Sequence, residues 1–174
     1  MELEKQLNKK RLTIGYQGKT ATGKSEWLTD PKYIKALGPF QLDPCAPHPS
    51  TRPWPTAWMH YHERGLQQQW FGKVWVNPPY DDCEAWFSKA ADHGNCLGTC
   101  FVRTETIWFF NSIWDRADAV LFVKGRMQFF HIDGTRGKSG SGVGSVIMAY
   151  GKNAAQTLYA ASKTSIPGKF LRLK

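Results

Sequence analysis

The chain has 174 residues, enough for one ordinary domain with its own core, and 41% hydrophobic against 21% charged residues excludes a disordered chain. A formal net charge of +9 attracts polyanions and points to nucleic acid, although a solvated basic surface without a partner has the same composition. No apolar run approaches the length of a membrane span, and residues 1–12, MELEKQLNKKRL, lack the apolar centre of a secretion signal, so a reduced, cytoplasmic setting is expected.

In chain order, residues 1–11 read as a solvated arm or frayed helix, and residues 12–25, rich in Gly, Thr and Lys, as a loop. A helix begins in SEWLTDPKYIKAL: Pro31 suits its first turn, Thr29 or Asp30 its cap, and Tyr33, Ile34 and Leu37 share a face. GPFQLDPCA gives a short strand ending at Asp43, and PHPSTRPWPTAW is too proline-rich to be anything but a loop. GKVWVNPPY is a second short strand, stopped by prolines that cannot donate to a sheet.

DDCEAWFSKAADHG reads as a helix with acids at its start and Gly94 at its end. CLGTCFV is a buried strand, TIWFFNSIWDRA a helix with Ile107, Phe110 and Trp114 on one face, and DAVLFVKG another strand. DGTRGKSGSGVG is a basic glycine-rich loop, and SVIMAYG is expected as the last strand. Alternating strands and helices predict an α/β fold with a parallel sheet and ligands at the carboxyl ends of its strands. Aromatic residues make up 14% of the chain, eight of them tryptophan; they fill a core or stack on a planar ligand.

Four cysteines form no C-x-x-C pair, and Cys96 and Cys100 sit in an apolar run like core residues. His60 and His62 flank Tyr61, but no second pair completes a zinc pattern, so no metal is expected.

Two stretches carry chemistry. GKTATGKS, residues 18–25, fits the G-x-x-x-x-G-K-S/T phosphate loop of nucleotide hydrolases. That loop needs an apolar strand before it and an unbroken helix after it, whose N-terminus holds the phosphates. Here RLTIGYQ offers only Leu12, Ile14 and Tyr16, and Pro31 interrupts the helix within two turns. The candidate magnesium acid, in FQLDP, leads into the proline loop. The match is therefore read as a basic segment in which Lys19, Lys24 and nearby amides touch DNA phosphate or a cofactor carboxylate.

The second stretch is Asn77-Pro78-Pro79-Tyr80, at the end of a strand. An exocyclic amine such as adenine N6 is a poor nucleophile because its lone pair is delocalised into the ring. An Asn side-chain oxygen and a backbone carbonyl can accept its two N–H bonds, drawing the nitrogen toward tetrahedral geometry and stabilising developing positive charge. The first proline stiffens the turn and presents its carbonyl, and Tyr80 can stack on the ring. No strong base is needed when the methyl donor is an activated sulfonium.

With these segments in order, the chain resembles the phage-type DNA N6-adenine methyltransferases, the Dam family of phages and prophages. The resemblance covers roughly residues 26–151 through EWLTDP, FQLDPCA, GLQQQWFGKVWVNPPY, WFSKAADHG, VKGRMQF and GSVIMAYG. It implies a Rossmann-like methyltransferase fold with a mixed, mostly parallel sheet flanked by helices: a basic arm at 1–25 and a single catalytic domain at 26–174. It implies S-adenosyl-L-methionine as cofactor, double-stranded DNA as partner, base flipping, a monomer or weak homodimer, and the cytoplasm of a bacterial host as location.

By this resemblance Asp43, Pro44, Cys45 and Ala46 form the turn under the cofactor's methionine part, and Trp27 and Thr29 lie across the cofactor, with Asp30 inserted before Pro31. Glu63 is the candidate ribose acid, although Arg64 stands where the family more often has one. In KGRMQFF, Phe129 would pack near the target base, and Arg126 would hold phosphate or the active-site loop, or pair with an acid structurally. From composition alone, and not from the resemblance, Arg136 and Lys138 in the loop 134–144 are expected to enter or clamp a groove, and Lys24 to meet DNA phosphate. The same fold acting on RNA, cytosine N4 or a protein amide, and an inactive nucleic-acid-binding module, are the competing readings.

Overall fold

A computed structural model describes residues 27–137 and 143–174. The arm 1–25 with Lys24, and Lys138 with the middle of the 134–144 loop, lie outside the described residues.

The first described elements are a two-residue strand β1 (Leu28–Thr29), helix α1 (Pro31–Leu37) and strand β2 (Leu42–Asp43). Asp30 caps α1: its carboxylate accepts the Lys32 N–H at 2.9 Å, and Pro31 fills the first turn, where no donor is needed. The proline-rich stretch is loop apart from a single 3₁₀ turn, Pro49–Thr51, and ends in strand β3 (Met59–His60). Strand β4 (Val74–Val76) runs into the two prolines; a 3₁₀ turn, Tyr80–Asp82, then opens helix α2 (Cys83–His93). That helix stops at Gly94, whose φ of 73° is the left-handed conformation that suits glycine.

Strand β5 (Cys96–Phe101) is followed by a helical segment that departs from the expected face. A short helix α3 (Ile107–Phe109) continues as a π-helix, Phe110–Trp114, in which the Asp115 N–H reaches the Phe110 carbonyl at 3.1 Å. The wider turn breaks the 3.6-residue phase. Phe109 and Ile113 therefore turn fully inward, whereas Ile107 and Phe110, expected on the buried face, are 80% and 49% exposed.

Strand β6 (Ala119–Val123) and strand β8 (Ser145–Tyr150) fall where strands are expected, and the two-residue strand β7 (Phe129–Phe130) between them is an addition. Two more follow: helix α4 (Lys152–Thr164), whose Ala154, Ala155, Leu158 and Ala161 form an inward stripe, and strand β9 (Gly168–Arg172).

The main sheet has seven strands in the order β3-β2-β4-β5-β8-β6-β9. The first four are parallel; β8 is antiparallel to both β5 and β6, and β9 is antiparallel to β6. The parallel sheet expected from the strand–helix alternation alone is thus corrected to a mixed, mostly parallel one, as the resemblance implies, in which β8 and β9 run against the other five. β8 is buried at every position, so its apolar run carries no alternation from which direction could be read. One face of the sheet packs against α2 and the π-helix through Trp86, Phe87, Phe109 and Ile113; the other packs against α1 and α4 through Tyr33, Leu37, Ala155 and Leu158. Burial of each such large side chain contributes about 1.5–3 kcal/mol.

β1 and β7 form a separate antiparallel pair, Leu28 opposite Phe130 and Thr29 opposite Phe129. From β2 the chain passes to β3 on one side, while β4 lies on the other. The strand order reverses there, opening a crevice beyond the carboxyl ends of β2 and β4.

Candidate active site

The DPCA and NPPY segments both reach that crevice because each follows directly on its strand: Pro44 after β2, Asn77 after β4. A cavity of about 400 Å³ lies between them, lined by Trp27, Pro44, Cys45, Ala46, Glu63, Asn77, Pro78, Pro79 and Tyr80 among others. Its size is in the range of small-molecule sites.

The Asn77 amide is oriented by the chain itself. Its Nδ2 donates to the Trp27 carbonyl at 2.9 Å, which leaves Oδ1 buried without a hydrogen-bond partner. An unpaired buried acceptor is costly, and at a cavity wall it is the atom a bound N–H donor satisfies. Trp27 is itself pinned: its ring lies 4.5 Å from that of His131, and a Cβ at Gly137 would come within 3.2 Å of it. Tyr80 stacks on Phe101 at 4.2 Å, and Phe101 meets Phe129 edge-on at 6.3 Å. The Tyr80 hydroxyl is buried and unpartnered, and burial pushes its pKa up, so it stays a neutral donor.

The opposite wall is a locked turn. The buried Asp43 carboxylate accepts the Cys45 N–H at 3.1 Å and the Thr56 hydroxyl. Burial raises the Asp43 pKa, and the two hydrogen bonds offset part of that rise. The Ala46 N–H donates to the Tyr61 carbonyl at 3.1 Å, tying the turn to the segment after β3. Gly65 presses so closely on Pro44 that a Cβ there would fall 1.8 Å from the Pro44 oxygen. These interactions bring Glu63 and Gly65 up to the DPCA turn.

Asp43 and Thr29, assigned to the cofactor by the resemblance, are not among the cavity-lining residues. Asp43 faces Thr56 and the turn amide, and Thr29 is buried in β1 with its carbonyl taken by the Trp54 indole at 3.3 Å. Phe129 is also buried, one ring removed from Tyr80. Arg126 and Arg136 are exposed and do not line the cavity, and Lys24 and Lys138 are outside the described residues. Sequence alone does not pick out Pro47, His62, Gly65, Asp81 and Trp86 as lining residues, and Arg64, noted only for standing where the family more often has an acid, lines the cavity as well. Of these only Gly65 carried a signal, as a glycine just before the QQQW run with no turn partner to explain it.

His60 supports the turn from behind. Its Nε2 accepts the backbone N–H groups of Thr56 and Ala57, both at 3.2 Å. Burial, helped by Arg52, lowers its pKa from 6.5 to about 4. A lowered folded-state value means that the stability it confers is present above pH 6.5 and is lost as pH falls toward 4. Asp43 works in the opposite sense, since its raised pKa makes ionisation costly and acidification removes that cost. Thermal melts from pH 7 to 4 should therefore show a falling limb that His60→Gln, which keeps an acceptor but does not titrate, flattens. An unchanged limb would remove His60 from this role.

All four cysteines are free, no group of three or more His, Cys, Asp or Glu among the described residues is placed to hold a metal, and no described helix is long and apolar enough to cross a membrane. No curated protein and no solved structure matches the chain. A family model described as DNA N-6-adenine-methyltransferase (Dam) matches residues 23–166. Covering most of the length, and with both the N-P-P-Y strand end and its facing turn inside the match, it shows that the chain belongs to the Dam family of DNA adenine N6-methyltransferases.

Proposed function

We propose that the described residues form one catalytic domain of Rossmann-like methyltransferase type that methylates adenine N6 in double-stranded DNA, with S-adenosyl-L-methionine as donor and the target base flipped into the cavity. The observation that carries this is Asn77, which lines a cavity whose other wall is the DPCA turn and whose buried Oδ1 has no hydrogen-bond partner.

The residues present fit the donor. Trp27 offers a ring, the Pro44–Ala46 turn a floor, and Glu63 a carboxylate suited to two ribose hydroxyls. When bound, S-adenosyl-L-methionine supplies an activated methyl group on a sulfonium. Asn77 Oδ1 accepts one N6–H of the target adenine, and the Pro78 carbonyl accepts the other. Together they hold the amine in line with the methyl group and stabilise charge developing on it. The Trp27 carbonyl fixes which end of the Asn77 amide faces the base.

Tyr80 is held by Phe101 so that its ring forms part of the base pocket. Adenine in a duplex hides its amine, so the base must leave the stack to reach Asn77. Arg126 and Arg136 are assigned to the DNA backbone, together with Lys24 and Lys138. Thr29 and Asp43 support the cofactor wall from behind.

The test is expression in a host free of DNA methylation, followed by mapping of N6-methyladenine along its genome. Tritium from labelled cofactor should enter adenine-only duplexes and not cytosine-only ones. Transfer to cytosine duplexes, RNA or a protein extract, with none to adenine duplexes, would overturn the substrate.

A further inference from the structure

The charge of the chain is divided very unevenly. Residues 26–118, which hold β2, β4, β5 and nearly all of the cavity wall, contain 8 Lys/Arg and 11 Asp/Glu. Residues 119–174 contain 9 Lys/Arg and a single acid, Asp133. The half carrying the proposed chemistry is slightly acidic, so the attraction for a polyanion originates beside it.

The topology gathers part of that charge at one place. β6 runs in the same direction as β5, so Lys124 and Arg126, just after it, lie at the carboxyl edge on which the cavity opens. α4 starts at the opposite edge, after β8, and returns; Lys163 in its last turn therefore reaches the carboxyl edge. β9 begins there, with Lys169 opposite Phe122, and the Lys124 N–H donates to the Pro167 carbonyl at 2.8 Å. Lys124, Arg126, Lys163 and Lys169 are all exposed. Lys163 extends over the Tyr159 ring at 5.1 Å, and none of the three lysines forms an ion pair with a described residue. Acids on the same edge, Glu63, Asp81 and Glu105, belong to the β2–β5 side, while Asp133 sits at the tip of the turn after β7.

We propose that this corner of the sheet, Lys124, Lys163 and Lys169 with Arg126, is the main anchor for the phosphate backbone of a DNA duplex, separate from the cavity that receives the base. Three to four strand spacings of ~4.8 Å place it about 14–19 Å from β4 along the sheet edge. At ~3.4 Å per base pair that is roughly 4–6 base pairs from the target. The duplex then runs along the carboxyl edge from β4 toward β9, gripped at its far end by charge and at its near end by the extruded base. This assignment rests on the DNA-directed reading above and adds three lysines to it.

The test compares two triple variants of equal charge loss in the same basic half. K124Q/K163Q/K169Q removes the corner; K152Q/R172Q/K174Q removes three cations from the opposite sheet edge. Binding to a 20-base-pair duplex is measured across a salt series, with cofactor affinity and turnover at saturating DNA alongside. The corner variant should bind at least tenfold more weakly at low salt, with the salt slope reduced by about 2–3, or ~0.9 for each phosphate no longer neutralised. Its cofactor affinity and saturated turnover should be unchanged, and the control should keep most of the slope. Equal losses in both variants would reduce the corner to bulk charge, and an unchanged slope, with or without self-association through the β9 edge, would equally overturn the proposal. A wild-type protein that binds and methylates DNA while the corner variant matches it defeats the anchor alone; a wild-type protein that does neither defeats the functional reading.

Discussion

Asn77→Ala should lose about 10²–10³-fold in turnover with cofactor affinity nearly intact, in line with removal of one preorganised hydrogen-bonding group at a reacting centre. Two interactions disappear at once. Oδ1 is the acceptor proposed for the adenine amine, and Nδ2 is the donor that satisfies the Trp27 carbonyl. Asn77→Asp separates them. An aspartate keeps an acceptor but sets a carboxylate against the Trp27 carbonyl in place of a donor, so the side chain swings away from it. Turnover for Asp should therefore also fall, and an aspartate variant as active as wild type would show that the Trp27 hydrogen bond does not orient residue 77. Single-turnover kinetics with separately titrated cofactor distinguishes loss of chemistry from loss of binding. Wild-type turnover in Asn77→Ala would remove the residue from the reaction.

Both walls of the cavity were legible because each is a sequence-local event. A short apolar strand followed by a proline must end at that point, and DPCA and NPPY both do so. Nothing local says that β2 and β4 are neighbours; that follows from a register in which Leu42 pairs with Val74. The direction of β8 was hidden because a strand buried on both faces looks the same read either way. The face of the 107–114 segment was misread because a π-turn shifts the phase on which the helical pattern depends. β1 and β7, two residues each, carry no periodicity at all, yet they hold Trp27 in place. The support of Asp43 by Thr56, thirteen residues on and within the proline loop, is likewise a property of the fold and not of either segment.

The electrostatic division was in the sequence and is visible without coordinates, but its meaning depends on topology. The same cations spread around the molecule would give only solubility. Because α4 returns to the edge where β9 starts, cations far apart in sequence meet at one corner of the carboxyl edge on which the cavity opens. A cavity half that is slightly acidic suits a cationic sulfonium donor, and a basic flank suits the polymer that carries the acceptor.

Gly65→Ala should be the most damaging small substitution in the cofactor wall. An added Cβ would sit 1.8 Å from the Pro44 oxygen, 2.9 Å from its carbonyl carbon and 3.0 Å from the Trp86 ring. Neither backbone can move aside cheaply. Pro44 lies between Asp43 and the Cys45 amide that Asp43 holds. On the other side the Gly65 carbonyl accepts the Trp70 indole at 2.8 Å, and Arg64 is already in the left-handed region at φ 52°. The strain is that of overpacking, about 1–3 kcal/mol, which in a chain of this size lowers the melting temperature by roughly 2–12 °C. It falls where Glu63 and the DPCA turn approach each other, so cofactor affinity should drop at least tenfold, about 1.4 kcal/mol. Turnover at saturating cofactor should fall less than affinity, because Asn77 on the facing wall is undisturbed. Gly94→Ala meets nothing within 4 Å and serves as the comparison: it bears the cost of a left-handed backbone, and so lowers stability, but should leave cofactor affinity untouched. Calorimetric titration of both variants with S-adenosyl-L-methionine checks the pair, and wild-type affinity in Gly65→Ala would mean that the 63–65 segment is no part of the cofactor wall.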